Sequence, residues 1–198
     1  MTGIIHLVRH GHHGLLGRTL CGRMNDVALD DIGCAEMARC AVTISPRPAL
    51  IQSSPRRRCM QSACILAAHF RSPIEIVPAL DELDYGEWSG RSFEELSQDP
   101  RWFRWNSRRA STRPPGGETM RSLQSRMVSH LEQLRKDHSA GTVVAVSHAE
   151  PIRAAVLHYA RRGLNDFLSI EIDPSSISTL RADGRGFRIT GINQRVPA

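Results

Sequence analysis

The sequence predicts an α/β protein, a three-layer sandwich with a mostly parallel central sheet and helices on both faces. Short aliphatic and β-branched runs alternate with longer stretches of helical periodicity along the chain. Three of the short runs also end in residues suited to phosphate. Ile4 to Val8 runs into Arg9-His10-Gly11, Ala49-Leu50-Ile51 into Ser53-Ser54-Pro55 with Arg58 just beyond, and Val143 to Val146 into Ser147-His148. Ligands of open α/β sheets bind outside the carboxyl ends of the strands, so these three ends mark one crevice. Gly11 lets the backbone turn sharply beyond the first of them.

In chain order, Ile4 to Val8 is the first strand and His12 to Leu29 a glycine-rich loop. A helix is expected from about Asp31 to Thr43, with Ile32, Ala35, Ala38 and Val42 on its apolar stripe. Leu50 to Gln52 is a strand. Pro55, in a first helical turn, opens a helix to about Phe70. Ile74 to Val77 is a short strand leading to Glu82. Residues 92–117 differ in composition: Trp102, Trp105 and the arginines 101, 104, 108, 109 and 113 crowd together before a break at Pro114-Pro115-Gly116-Gly117. This segment reads as a lid inserted in a single domain spanning 1–198, its tryptophans docking a short helix onto the core. Glu118 to Lys136 is a helix in which Met120, Leu123, Met127, Leu131 and Leu134 step by threes and fours. Pro151 starts a helix through Ala160. Phe167 to Ile172, Ile177 to Leu180 and Phe187 to Ile192 read as closing strands.

Apolar residues are 40% and charged residues 23% of the chain, the balance of an ordinary globular protein. No apolar stretch approaches transmembrane length, and Met1 to Val8 lacks the build of a signal peptide. Five cysteines without a Cys-x-x-Cys pair are neither a disulfide framework nor a zinc site, so the cytoplasm is the expected compartment. The net charge is +6, and Lys136 is the only lysine among 26 basic residues. Codon usage accounts for most of the arginines, with a handful drafted into the site, where their forks suit phosphate oxygens. The basic runs at Arg56-Arg57-Arg58 and Arg108-Arg109 lie in no nucleic-acid-binding motif, and aromatics are only 5%, which argues against a nucleic-acid ligand. His10, His12 and His13 cannot all converge from one strand end, and no cysteine or acid has ligand spacing beside them. No metal or other cofactor is expected.

Five blocks in order carry a family resemblance: Leu7-Val8-Arg9-His10-Gly11, Ser53 to Ala63, Glu82 to Gly90, Pro115-Gly116-Gly117-Glu118, and Ser147-His148. Together they resemble the histidine phosphatase superfamily, the phosphoglycerate-mutase-like proteins, from Ile5 to about Asn193. The resemblance implies that fold and a phosphohistidine formed at His10. It implies phosphate binding by Arg9, Arg58 and His148, and a proton donor at Glu82. Arg58 is the sixth residue of its block, where the family's arginine falls; Arg56 and Arg57 are expected to face solvent. Asp84 and Glu87 are alternatives to Glu82, expected in exposed or turn positions. The backbone N–H of Ala149, at a helix start, is expected to add an anion contact. Gly22 and Arg23 are expected to touch substrate.

The chain also departs from the family pattern. Where the family often reads Arg-His-Gly-Glu-Thr followed by an asparagine, this sequence has His12, His13 and Leu16. After His148, where two small residues are common, it has Ala149-Glu150, and Glu150 is expected to cap the following helix. The expected activity is metal-independent hydrolysis of small phosphomonoesters. A phosphoglycerate mutase is the nearest alternative, and a non-catalytic phospholigand-binding or protein-interaction module is another.

Overall fold

Strand β1 (Ile4–Arg9) carries the centre of the sheet, because the chain leaves it, crosses over, and later returns beside it. The computed structural model describes residues 3–138, 141–184 and 186–195; the outermost ends of the expected 1–198 domain lie outside the described residues. After β1 come α1 (Asp31–Ala41), β2 (Leu50–Ser53), α2 (Arg57–Phe70) and β3 (Ile74–Ile76). Two short helices, α3 (Phe93–Ser97) and α4 (Pro100–Ser107), precede α5 (Met120–Asp137), β4 (Thr142–Ser147) and α6 (Ala149–Tyr159). Strands β5 (Ile177–Asp183) and β6 (Gly186–Gln194) close the sheet. The strand order is β3-β2-β4-β1-β5-β6; β1 to β4 are parallel, and β5 and β6 are antiparallel additions.

Side chains alternate across a strand, so each central strand feeds two cores. Val143 and Ala145 of β4 pack with α5 and α6, while Val144 and Val146 pack with α1 and α2. The α5 stripe is as the spacing predicts: Met120, Leu123, Met127, Leu131 and Leu134 are all buried. Burying each such side chain contributes about 1.5–3 kcal/mol before chain entropy is counted. Thr119 starts this helix by accepting a hydrogen bond from the Ser122 N–H, and Lys136 lies in its last turn, where a cation favours the helix dipole.

Four expectations are corrected. The inward face of α1 is Gly33, Met37, Cys40 and Ala41, whereas Ile32, Ala35, Ala38 and Val42 are exposed. The cause is backbone proximity: a Cβ on Gly33 would sit 2.1 Å from the His12 carbonyl oxygen, and one on Gly11 would sit 2.5 Å from that of Gly33. Glycine at both positions brings α1 onto the loop after His10 and fixes which face turns inward. Pro55 lies outside α2, whose N-terminal cap is Arg56, and α6 begins at Ala149, two residues before Pro151. The run Phe167 to Ile172 is not a strand; Leu164–Ser169 is a 3-10 turn that still buries Phe167. Both flanks of β1 are already taken, by β4 and β5, so this run packs its side chains under α6 without a ladder position there.

Candidate active site

Register brings the three strand ends together. Arg9 pairs with Ser147 and Ser53 with Val146 across the parallel ladders, so His10, Ser54 and His148 emerge side by side. The His10 and Ser54 N–H groups continue the ladders, donating to the carbonyls of Ser147 and Val146. Above them is a cavity of about 140 Å³ lined by Arg9, His10, Arg58, Glu82, Gly22 and Ala149, together with His13, Tyr85, Phe93, Glu150 and the loop around Leu16 to Cys21. It is small beside the roughly 300–1,000 Å³ clefts that take drug-sized ligands.

The tautomer of His10 follows from its partners. Its Nδ1 lies 2.8 Å from the Gly11 carbonyl, which can only accept, so Nδ1 carries the hydrogen and Nε2 keeps its lone pair. Arg58 Nε donates to that lone pair at 3.3 Å. Burial, then the Arg58 and Arg9 charges, holds the ring well below the usual histidine range. The free site therefore presents a neutral imidazole whose Nε2 lone pair faces Arg58. Arg58 is itself buried, held by the Gly22 carbonyl at 2.7 Å and that of Met24 at 3.3 Å. Gly22 has φ +50°, a left-handed conformation that glycine adopts without strain. Arg9 donates Nη1 to the Ile172 carbonyl at 2.7 Å and leaves its buried Nε without a partner.

His148 is fully buried and does not line the cavity; it stands behind Arg58. Arg58 Nη2 approaches its Nδ1 at 3.1 Å, and a guanidinium only donates, so Nδ1 accepts and Nε2–H donates to Ser54 Oγ at 2.8 Å. Ser54 in turn donates to Asp81 at 3.3 Å, and Asp81 is clamped by Nε and Nη2 of Arg56. Arg56 thus does not face solvent as expected, whereas Arg57 does. Burial, followed by the Arg58 charge, keeps His148 neutral in this state. The string Ser54–Asp81–Arg56 was missed by sequence reasoning, although Ser54 belongs to a motif and Asp81 adjoins Glu82.

Glu82 lies in the cavity wall, its Oε1 accepting from the Leu83 N–H at 2.8 Å and its Oε2 3.9 Å from His148 Nδ1. Its carboxyl is raised to about 7, first by burial and then by the negative charge of Glu150. Arg23 does not line the cavity; it braces Glu82 from behind. Its Nε donates to the Glu82 carbonyl at 2.8 Å and its Nη2 to Glu118 at 3.0 Å, while Arg126 bonds the same carbonyl and the same carboxylate. The Pro115-Gly116-Gly117-Glu118 block therefore positions the backbone that carries Glu82. Asp84 accepts from Gly86 N–H in a turn, and Glu87 is exposed, both as expected.

None of the lid arginines lines the cavity. Arg101 is engaged by Asp99, which caps α4. Arg109 is buried with its guanidinium carbon 3.6 Å from the Trp105 ring centroid and 3.7 Å from that of Phe167. It pairs with Glu150 at 3.2 Å, and Arg153 approaches the other Glu150 oxygen at 3.5 Å. Glu150 therefore does not cap α6, whose start has no side-chain cap bond; it ties the lid to the cavity wall. Trp102 and Trp105 of α4 each pack edge to face against Trp88, so the docking role expected for the tryptophans is present. Among the described residues no group of three or more His, Cys, Asp or Glu side chains is arranged to hold a metal, and no helix is long and apolar enough to cross a membrane.

Comparison with known proteins converges on one family. The sequence profile of the histidine phosphatase superfamily (branch 1) matches residues 5–195. The chain is 32% identical over 146 residues to phosphoserine phosphatase 1 of Hydrogenobacter thermophilus, covering 73% of this chain and 69% of that protein. It is 26% identical over 183 residues to the bifunctional protein Rv2228c of Mycobacterium tuberculosis, 90% of this chain but only 50% of that longer relative. In structure it superposes on phosphoserine phosphatase of Entamoeba histolytica, a mutant in complex with phosphoserine, with a TM-score of 0.86, 22% identity and 97% of each chain covered. With a profile match running from β1 to the end of β6 and this level of identity to a named relative, the chain belongs to the histidine phosphatase superfamily.

Proposed function

We propose that the protein is a metal-independent phosphatase of small phosphomonoesters that works through phosphohistidine at His10. The observation that carries the reading is the fixed His10 tautomer, with Nε2 free of a proton and beside the buried Arg58 fork. A phosphate dianion entering the cavity meets Arg9 and Arg58, whose charges neutralise the transferring oxygens. His10 Nε2 attacks phosphorus, the N–P bond forms, and the P–O bond to the leaving group breaks. Glu82, carrying a proton because burial and Glu150 raise it to about 7, delivers that proton to the leaving oxygen. Its carboxylate then takes a proton from water as the water oxygen attacks phosphorus, and His10 departs with its lone pair restored. Phosphate that draws Arg58 Nη2 off His148 Nδ1 opposes the cationic field that keeps this ring neutral, so Nδ1 can take up a proton and donate to a phosphoryl oxygen. Ala149, first residue of α6, adds a backbone N–H and the helix terminus to the same anion site.

The substrates of the named relatives, phosphoserine above all, set the size class to test first. A mutase must also grip a second phosphate, and none of the lid arginines that could do so lines the cavity, which favours hydrolysis. Five free cysteines suit a reducing, cytoplasmic setting. Rapid quench with a labelled phosphoester tests the mechanism: the trapped phosphoryl group is expected to be acid-labile, base-stable, and absent from His10→Ala. Base-labile, acid-stable label would overturn it. Turnover of 3-phosphoglycerate with a bisphosphate donor, faster than hydrolysis, would establish the mutase instead.

A further inference from the structure

His13 is a polar group that the mechanism above leaves unused. It lines the cavity next to His10, the two ring centroids 5.3 Å apart, and is only 3% exposed. Its Nδ1 is shut away from solvent without a hydrogen-bond partner, and neither ring nitrogen is bonded within the described residues. A buried polar atom left unpaired is unfavourable, a cost that a bound ligand can remove. The loop holding it is anchored on both sides. His12 donates its N–H to Glu36 at 3.0 Å and its Nδ1 meets Asp30, the N-cap of α1, at 2.6 Å; the His13 carbonyl accepts from Leu16 N–H at 2.9 Å. The ring is therefore mounted rigidly, facing the same space as Arg9 and Arg58.

Burial together with the Arg58 and Arg9 charges lowers His13 to about 4, so near neutral pH it is an uncharged imidazole with one N–H to give. Two arginines already balance the charge of a phosphate dianion. What remains unfilled is hydrogen-bonding capacity, since each phosphoryl oxygen accepts more than one donor. We propose that His13 is a further phosphoryl-binding side chain, donating a ring N–H hydrogen bond to a non-bridging oxygen of the group transferred to His10. The proposal rests on the phosphatase reading and adds to it a residue in contact with substrate.

The test is calorimetric binding of inorganic phosphate, with steady-state hydrolysis of phosphoserine and p-nitrophenyl phosphate by the same proteins. Loss of a hydrogen bond to a charged group predicts that His13→Ala and His13→Leu bind phosphate about tenfold more weakly or worse. Both esters should lose kcat/KM by the same factor, because the contact is to the phosphoryl group they share. His13→Asn, which restores a short donor, should recover most of the affinity. Unchanged phosphate affinity in His13→Ala overturns the proposal. So does a loss that tracks a fall in Tm and is not recovered by asparagine, since that marks a structural role. A loss confined to phosphoserine would place the ring against the leaving group, and also overturns it. Failure of the parent reading looks different: the unmodified protein would then neither hydrolyse these esters nor bind phosphate.

Discussion

The two ends of the cavity are built by different rules. At the phosphoryl end, Arg9, His10 and Ser147 are fixed by ladder register, and each lies within a residue or two of a strand terminus. At the lid end, Arg109 reaches Glu150 across 41 residues of sequence, held by ring faces and one ion pair. At the phosphoryl end Arg9 and Arg58 line the cavity, whereas at the lid end Arg101 and Arg109 are engaged by Asp99 and Glu150. An arginine-rich segment near a phosphate site is thus not evidence of phosphate binding until its partners are known.

The largest effect expected from this contrast is at Arg58. Arg58→Met removes a buried guanidinium from the cavity wall beside His10 and should lower kcat/KM about 10²–10³-fold for every ester, the usual cost of a lost transition-state donor. Arg104→Gln, Arg108→Gln and Arg113→Gln should each leave kcat/KM within about twofold, as expected of surface changes away from the ligand. A selective rise in KM for polyanionic esters in any of these three would break the comparison.

Next in size is Glu82. Glu82→Gln should slow alkyl phosphates by about a hundredfold or more, the range for a lost general acid. The loss should be much smaller for p-nitrophenyl phosphate, whose phenolate leaves without a proton. Equal losses on both esters would make Glu82 a structural residue.

At the phosphoryl end Arg9, His10 and Ala149 were legible because a strand end places its next residues by covalent geometry, whereas Arg58 and Glu82, well past their strands, were implied by the family resemblance. Arg9, His10, Arg58, Glu82 and Ala149 all reach the cavity wall, and His148 lies directly behind it. What failed needed information from distant chain. Helical spacing puts Ile32, Ala35, Ala38 and Val42 on one α1 stripe, yet the inward face is chosen by the Gly11–Gly33 backbone approach. Arg56 was assigned to solvent because nothing in its own block shows that Asp81 comes within hydrogen-bonding reach. Arg23 was assigned to substrate, whereas its donors are spent on the Glu82 carbonyl and Glu118. Glu150 reads as a helix cap by position, and only the fold reveals Arg109 opposite it. His13 gave a signal in the sequence, as a departure from the family pattern, but its lack of partners is visible only in three dimensions.

Arg109 ties the lid down through Glu150. Arg109→Met keeps volume between Trp105 and Phe167 but leaves Arg153 as the remaining ion-pair partner of Glu150. Breaking a buried pair by removing one partner typically costs about 3–5 kcal/mol, and urea unfolding should show a loss near the low end because Arg153 remains. Arg104→Gln should lose no more than about 0.5 kcal/mol. A stability change in Arg109→Met as small as that of Arg104→Gln would mean the lid is not tied down through this residue.

The smallest effect links the two ends. Glu82 must be protonated to act as the acid, so kcat/KM for an alkyl phosphate should fall as pH rises through its raised value of about 7. The negative charge of Glu150 is the second cause of that rise, after burial. Glu150→Gln removes this charge and leaves Arg109 and Arg153 uncompensated nearby, and both changes favour the ionised form of Glu82. The alkaline limb should therefore move to lower pH, by roughly half to one unit, equivalent to about 0.7–1.4 kcal/mol. Arg109→Met should move it the other way, because the lost cation leaves Glu150 more strongly felt. With p-nitrophenyl phosphate neither variant should shift a Glu82 limb, since that leaving group needs no acid. If Glu150→Gln leaves the limb in place while Arg109→Met still lowers stability, the ion pair fastens the lid and has no say in the chemistry. A shift to lower pH in the first variant and to higher pH in the second would mean that the lid sets the proton affinity of the group expected to give its proton to the leaving oxygen.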